Sequence, residues 1–291
     1  MLAALVFLLQ RLWTYRESLD VSLDLAKIFM LTGCCLLYVV TVCMCPIIYK
    51  TLLHLTTKRK LPFLQVANIY CKSNILKYLP GNVMQYVGRN QIAIDEKLPH
   101  GEVALATLLE IGVVVVSAGL VAIVFSWSYA VEWVTNSVDI NPVLVAAVVF
   151  VVMLVGTGTF VLFRNKIKKY FKEILTKKNF IKVLSLILYH ALILIISGIA
   201  YFSVMGTLQV GMAPENYLVG IGLYSLAFVL GYITPGVPGG IGIRETILVY
   251  FFSPFLPEAQ VLTGALLFRI ISVLGDFLAW IAMAALSKRI G

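Results

Sequence analysis

Arg89 and Arg244 stand in matching places, each nine residues after the proline of a Pro-Gly pair, Pro80-Gly81 and Pro235-Gly236. Asn82, Gln85 and Gln91 make the stretch around Arg89 too polar to face lipid tails. A guanidinium at hydrocarbon depth costs about 2.5–3.5 kcal/mol on insertion scales and needs an anion or water to offset it. The planar fork of donors on arginine suits phosphate. Two such groups brought together would hold a phosphate-bearing group from opposite sides. Lys77, Asn82, Gln85, Glu245 and Arg269 are the polar residues placed to share in binding. Two plainer roles stay open: a structural pair between Arg244 and Glu245 or another acid, and a place for Arg89 at the cytoplasmic headgroup level.

Glu110 and Asp276 are the carboxylates inside long apolar runs and are candidates for proton coupling. Arg269 and Asp276 are seven residues apart, on one helix face but separated by about 10 Å along the axis at about 1.5 Å per residue. They are therefore not expected to pair directly, whereas Glu110 and Arg269 are expected to form an interhelical pair. No nucleophile and base, metal cluster or acidic pair suggests covalent or hydrolytic chemistry, so the expectation is a non-enzyme with no catalytic residue, metal or cofactor. His54, His100 and His190 are scattered. The five cysteines form no CxxC pair and read as small apolar side chains. Gly239, Gly240 and Gly242 lack the preceding strand and third glycine of a dinucleotide fingerprint.

These groups are set in a chain of 291 residues that is 60% hydrophobic and 13% charged, with a mean hydropathy of +0.96. Soluble domains carry about a quarter of their residues as charges, so a soluble globular enzyme is excluded. The formal charge is +9, but eight of the 23 basic residues fall between Arg164 and Lys182, flanked by uncharged apolar runs. That is a membrane topology signal and argues against nucleic acid. Runs of about 20 apolar residues, the length that spans a bilayer, occur near 28–49, 101–127, 143–163, 183–205 and 259–287, with a partial sixth from Leu2 to Trp13. The partial run lacks the basic start and cleavage site of a signal peptide, and the chain is expected to begin inside its first helix.

The basic 164–182 stretch marks the cytoplasmic side, and the loops 128–142 and 206–216, free of Lys and Arg, the outside. Trp127, Tyr129 and Trp133 suit an interfacial aromatic belt. Lys50, Lys58, Arg59 and Lys60 place the end of the second span inside, as Lys288 and Arg289 place the C-terminus. Ile167, Phe171, Ile174 and Leu175 suggest an interfacial helix within the basic stretch.

Residues 61–100 must then begin and end inside, and residues 217–257 begin and end outside. Each is expected to be a re-entrant hairpin, broken at Pro80-Gly81 in the first and at Pro235, Gly236, Pro238, Gly239 and Gly240 in the second, because proline removes a backbone donor and glycine admits positive φ. Two spans precede and one follows each hairpin. The expected architecture is an all-α integral membrane protein of about six spanning helices and two re-entrant hairpins. It forms a single domain over 1–291 with inverted-topology halves near 1–140 and 141–291. Broken helices of this kind build midplane sites in secondary transporters.

The segments Lys77-Tyr78-Leu79-Pro80-Gly81-Asn82-Val83, running on to Gly88-Arg89, and Pro238-Gly239-Gly240-Ile241-Gly242-Ile243-Arg244-Glu245 resemble the two signatures of the lysylphosphatidylglycerol synthetase transmembrane-region family. Leu267-Phe268-Arg269 also looks like the family pattern. This is the flippase part of the bacterial multiple peptide resistance factor. The resemblance implies movement of an anionic phospholipid or polyprenyl-linked lipid between leaflets of the cell membrane. The aminoacyl-transferring domain is not expected, since the chain ends at Gly291. Membrane lipids are the expected partners, with an envelope biosynthesis enzyme and a second copy of the chain as further candidates. Two other functions stay open: a carrier of a small anion, and a non-transporting accessory subunit of an envelope glycosyltransferase. No ATP-binding motif is present, so uphill movement would need an ion gradient or a partner.

Overall fold

A computed structural model describes residues 24–79, 83–136, 176–208, 211–234 and 237–288. Eight α-helices are found among them: α1 Leu25–Thr57, α2 Phe63–Asn74, α3 Met84–Asp95, α4 His100–Asn136, α5 Lys177–Thr207, α6 Tyr217–Ile233, α7 Ile243–Phe252 and α8 Glu258–Lys288. There is no strand among the described residues. The chain forms two compact units. One comprises Met1–Ser126 with Leu186–Gly291, and the other Trp127–Ser185. The described part of the second is the end of α4 and the start of α5.

Five helical stretches are long and apolar enough to cross a membrane: Leu25–Thr57, His100–Tyr129, Asn179–Thr207, Pro214–Ile233 and Glu258–Ser287. Four coincide with expected spans. The expected runs at Leu2–Trp13 and 143–163 lie outside the described residues, as do most of the basic stretch, with its apolar positions Ile167, Phe171, Ile174 and Leu175, and Arg289. The fifth stretch falls in the first arm of the expected second hairpin. The first arm of the supposed second hairpin carries no charge from Tyr217 to Ile233 and is itself of spanning length, whereas its return arm, α7, has 10 residues and rises only about 15 Å.

Local chemistry sets the helix ends. The Asp24 carboxylate accepts from the Lys27 N–H at 2.8 Å, capping α1, and Lys58 ends that helix in the left-handed conformation with φ 58°. Leu79 and Thr234, which precede Pro80 and Pro235, both leave the helical region, with ψ of 152° and 117°. The proline ring disfavours helical backbone in the residue before it. The helices therefore stop where the sequence breaks them, although Pro80, Gly81, Asn82, Pro235 and Gly236 themselves lie outside the described residues. After the second break a turn at Pro238–Gly240 leads through Gly242 into α7, with φ of +55°, +74° and +87° at Gly239, Gly240 and Gly242. Gly240 has a second reason to be glycine: a Cβ there would stand 2.7 Å from the Gly231 carbonyl oxygen.

Packing gathers the breaks around α8. This helix lies against α1, α2 and α7, α2 packs on α3, and α6 on α7. The turn Ile75–Tyr78, which follows α2, lies against the turn Pro238–Gly240. At the far end α4 is kinked at Ser126, whose hydroxyl donates to the Val219 carbonyl at 3.1 Å, and Gly222 leaves room for that side chain.

Candidate functional site

The helices enclose a cavity of about 140 Å³ that reaches both breaks. Its wall includes Lys77, Gln85, Arg89, Glu110, Gly239, Arg244, Glu245, Arg269 and Asp276, so the structure brings together every substrate-binding and coupling residue singled out above except Asn82, which lies outside the described residues. Apolar and aromatic groups fill the rest. Tyr201 stacks on Tyr224 at 5.3 Å, and Phe268 meets Tyr38, Tyr201 and Tyr224 edge-on.

Arg89 is the most enclosed of the cations, at 1% exposure. It is ion-paired with Glu110 of α4, its Nε donates to the Ser73 hydroxyl at 3.1 Å, and its guanidinium carbon lies 4.2 Å from the Tyr70 ring centre and 4.8 Å from that of Tyr49. Partner charge, hydrogen bond and aromatic faces together replace the water that this group gave up. The expected Glu110–Arg269 pair is not found. Glu110 meets the arginine of α3, while Arg269 donates through Nη2 to the Gly239 carbonyl in the second break. The helices, once broken, bring α3 and the Pro238–Gly240 turn nearer to these groups than they bring them to each other.

Asp276 joins α8 to the first break. Its carboxylate accepts from Asn74 Nδ2 at 2.9 Å and from the Tyr78 hydroxyl at 2.5 Å, and it pairs with Lys77 at 2.7 Å. Glu245 turns inward on its own helix and accepts from the Gly242 N–H at 2.6 Å, capping α7. It is not the partner of Arg244.

Two cations are left differently. Arg244 lies over Phe228, with its guanidinium carbon 4.5 Å from the ring centre, and its buried Nε has no hydrogen-bond partner. The Nε of Arg269 is likewise buried and unpartnered. No carboxylate pairs with either among the described residues. Both converge on the second break: a Cβ at Gly231 would stand 2.4 Å from Arg244 Cγ, the backbone of Gly231 touches Gly240, and Arg269 reaches Gly239. Two guanidinium groups that converge without a carboxylate partner of their own are equipped to receive an anion.

Sequence reasoning missed Asn74 and Tyr78 as partners of Asp276, and His190 and Tyr201 as cavity groups. The last two had a signal. His190, Leu194, Ser197 and Tyr201 recur at four, seven and 11 residues, which is one face of α5, and all four line the cavity. No group of three or more His, Cys, Asp or Glu among the described residues could hold a metal ion, and the five cysteines are free.

Searches among curated proteins and among solved structures returned no match. Residues 1–279 do match a family model, that of the lysylphosphatidylglycerol synthase TM region. With that match over nearly its whole length and several helices able to cross a bilayer, the chain is a multi-pass membrane protein and belongs to the lysylphosphatidylglycerol synthase TM region family.

Proposed function

We propose that the protein moves an anionic phospholipid or polyprenyl-linked lipid between the leaflets of the cell membrane, with the phosphate held at the second break by Arg244 and Arg269. The observation that carries this reading is the contrast among four cavity cations. Lys77 and Arg89 have carboxylate partners, while Arg244 and Arg269 each keep a buried nitrogen without a partner. A phosphate oxygen supplies what they lack. The role first assigned to Arg89 shifts accordingly: its charge is spent on Glu110, and it holds α3 against α4 beside the bound group. A cavity of about 140 Å³ is of the order of a headgroup's size, and on this reading the acyl chains stay in the bilayer during transfer.

The two breaks support an alternating mechanism in which the halves of an inverted repeat rock about a midplane site. Lys77–Asp276 and Arg89–Glu110 tie the first break to α8 and α4, and their exchange of partners would accompany rocking. The chain acts without covalent chemistry of its own, and its basic 164–182 stretch and C-terminus face the cytoplasm. The test is lipid movement in vesicles containing the purified chain. Arg244→Ala and Arg269→Ala should each reduce movement of an anionic lipid about tenfold or more, the loss expected for a charge-assisted hydrogen bond. Full movement by both variants would refute the phosphate clamp. The same cavity volume suits a small soluble anion, the second reading, and uptake of inorganic phosphate without lipid movement would favour it.

A further inference from the structure

The headgroup attached to that phosphate must fit the remaining polar groups of the cavity. All three carboxylates there are engaged: Glu110 with Arg89, Asp276 with Lys77, Asn74 and Tyr78, and Glu245 with the Gly242 N–H. Four cations against three carboxylates leave the wall positive before any ligand enters. An ammonium would meet no free acid and a repulsive field. Neutral groups remain. The His190 Nδ1 and the Tyr201 hydroxyl are buried without hydrogen-bond partners, in side chains only 5% and 1% exposed, on the α5 face that lines this cavity. Native interiors seldom leave such atoms unmatched. A phenol both donates and accepts, and an imidazole nitrogen does one or the other by tautomer, which is the equipment for meeting alcohol groups.

We infer that the cavity takes a phosphodiester whose headgroup carries hydroxyls and no amine, with Arg244 and Arg269 on the phosphate and His190 and Tyr201 on the hydroxyls. The inference rests on the phosphate-clamp reading and adds a substrate class to it. An aminoacylated headgroup would bring its ammonium against a wall on which the cations outnumber the carboxylates, and it is placed last among the candidate substrates.

The test uses the full chain in phosphatidylcholine vesicles carrying one acyl-chain-labelled lipid at a time: phosphatidylglycerol, phosphatidylpropanol, which has the same charge and no hydroxyl, or lysylphosphatidylglycerol. Phosphatidylglycerol should move about tenfold faster than phosphatidylpropanol, the worth of one ordinary hydrogen bond, and the aminoacylated lipid should be slowest. Tyr201→Phe and His190→Leu should each bring the ratio of the first two rates toward one, and a ratio cancels any general loss of folded protein. Equal rates for the first two lipids in the native chain, a preference for the aminoacylated lipid, or an unaltered ratio in both variants would overturn the inference and leave the clamp standing. If no lipid moves and lipid binding by the folded protein is indifferent to Arg244→Ala, the clamp falls and this inference with it. Uptake of free glycerol phosphate without lipid movement would support the hydroxyl-and-phosphate chemistry and overturn a lipid as its source.

Discussion

Removing the guanidinium of Arg89 leaves Glu110, itself only 3% exposed, without its partner charge. Breaking a buried pair from one side costs about 3–5 kcal/mol, so Arg89→Ala should lower the thermal midpoint of the detergent-solubilised protein sharply. Arg89→Met with Glu110→Gln should recover much of that loss, and the double-mutant cycle should report a coupling of about 1–3 kcal/mol. Arg244→Ala removes a cation with no carboxylate to strand, and should leave the midpoint close to that of the native chain. A large fall for Arg244→Ala and none for Arg89→Ala would reverse the assignment of structural and binding roles. Asp276 is the third case. Asp276→Asn keeps the shape but loses the attraction to Lys77, and destabilisation of about 1–3 kcal/mol is expected, because the charged hydrogen bonds from Tyr78 and Asn74 weaken with it.

The glycines of the second break separate local backbone need from mere small size. Gly240 combines φ +74° with a neighbouring carbonyl 2.7 Å from any added Cβ, so Gly240→Ala should destabilise by about 1–3 kcal/mol or prevent insertion. Gly101 and Gly112, which face open space in helical backbone, should accept alanine at no cost or a small gain. Thermal midpoints of the three variants check this directly. Both breaks were legible in the sequence because proline and glycine act on their own and adjacent residues: Leu79 and Thr234 are extended for a reason visible in the next letter. The spanning length of α6 was less legible, because the fate of an apolar run beside a break depends on what the run packs against. The partner of each buried charge was not legible at all. Glu110 could be placed on a helix from hydropathy, but its choice of Arg89 over Arg269 depends on how α3 folds back on α2, which no spacing rule within one helix encodes.

At the scale of the molecule, apolar composition announced a membrane protein, and the cluster of basic residues is the basis for proposing its direction. The topology carries a prediction: a cysteine introduced at Lys168 in a cysteine-free background should be labelled only from the cytoplasmic side, and one at Asp139 only from outside. Labelling of both from one side would remove the inverted arrangement of the halves. That arrangement matters because it would bring two breaks of opposite origin to one depth, where the turn Ile75–Tyr78 and the turn Pro238–Gly240 lie against each other and close a cavity with two under-satisfied arginines. The repeated interval between proline and arginine pointed to both arginines, and the contact of the two turns is what the structure adds. The division of labour between the arginines was not legible, since it arises from one having a glutamate in reach and the other an aromatic ring.

The measurement closest to the central claim is the movement of anionic lipid across vesicles holding the native chain or Arg244→Ala, at equal reconstituted amounts and with folding of both verified. The account predicts movement by the native chain and its loss, about tenfold or more, in the variant. Equal movement by the two proteins would contradict it.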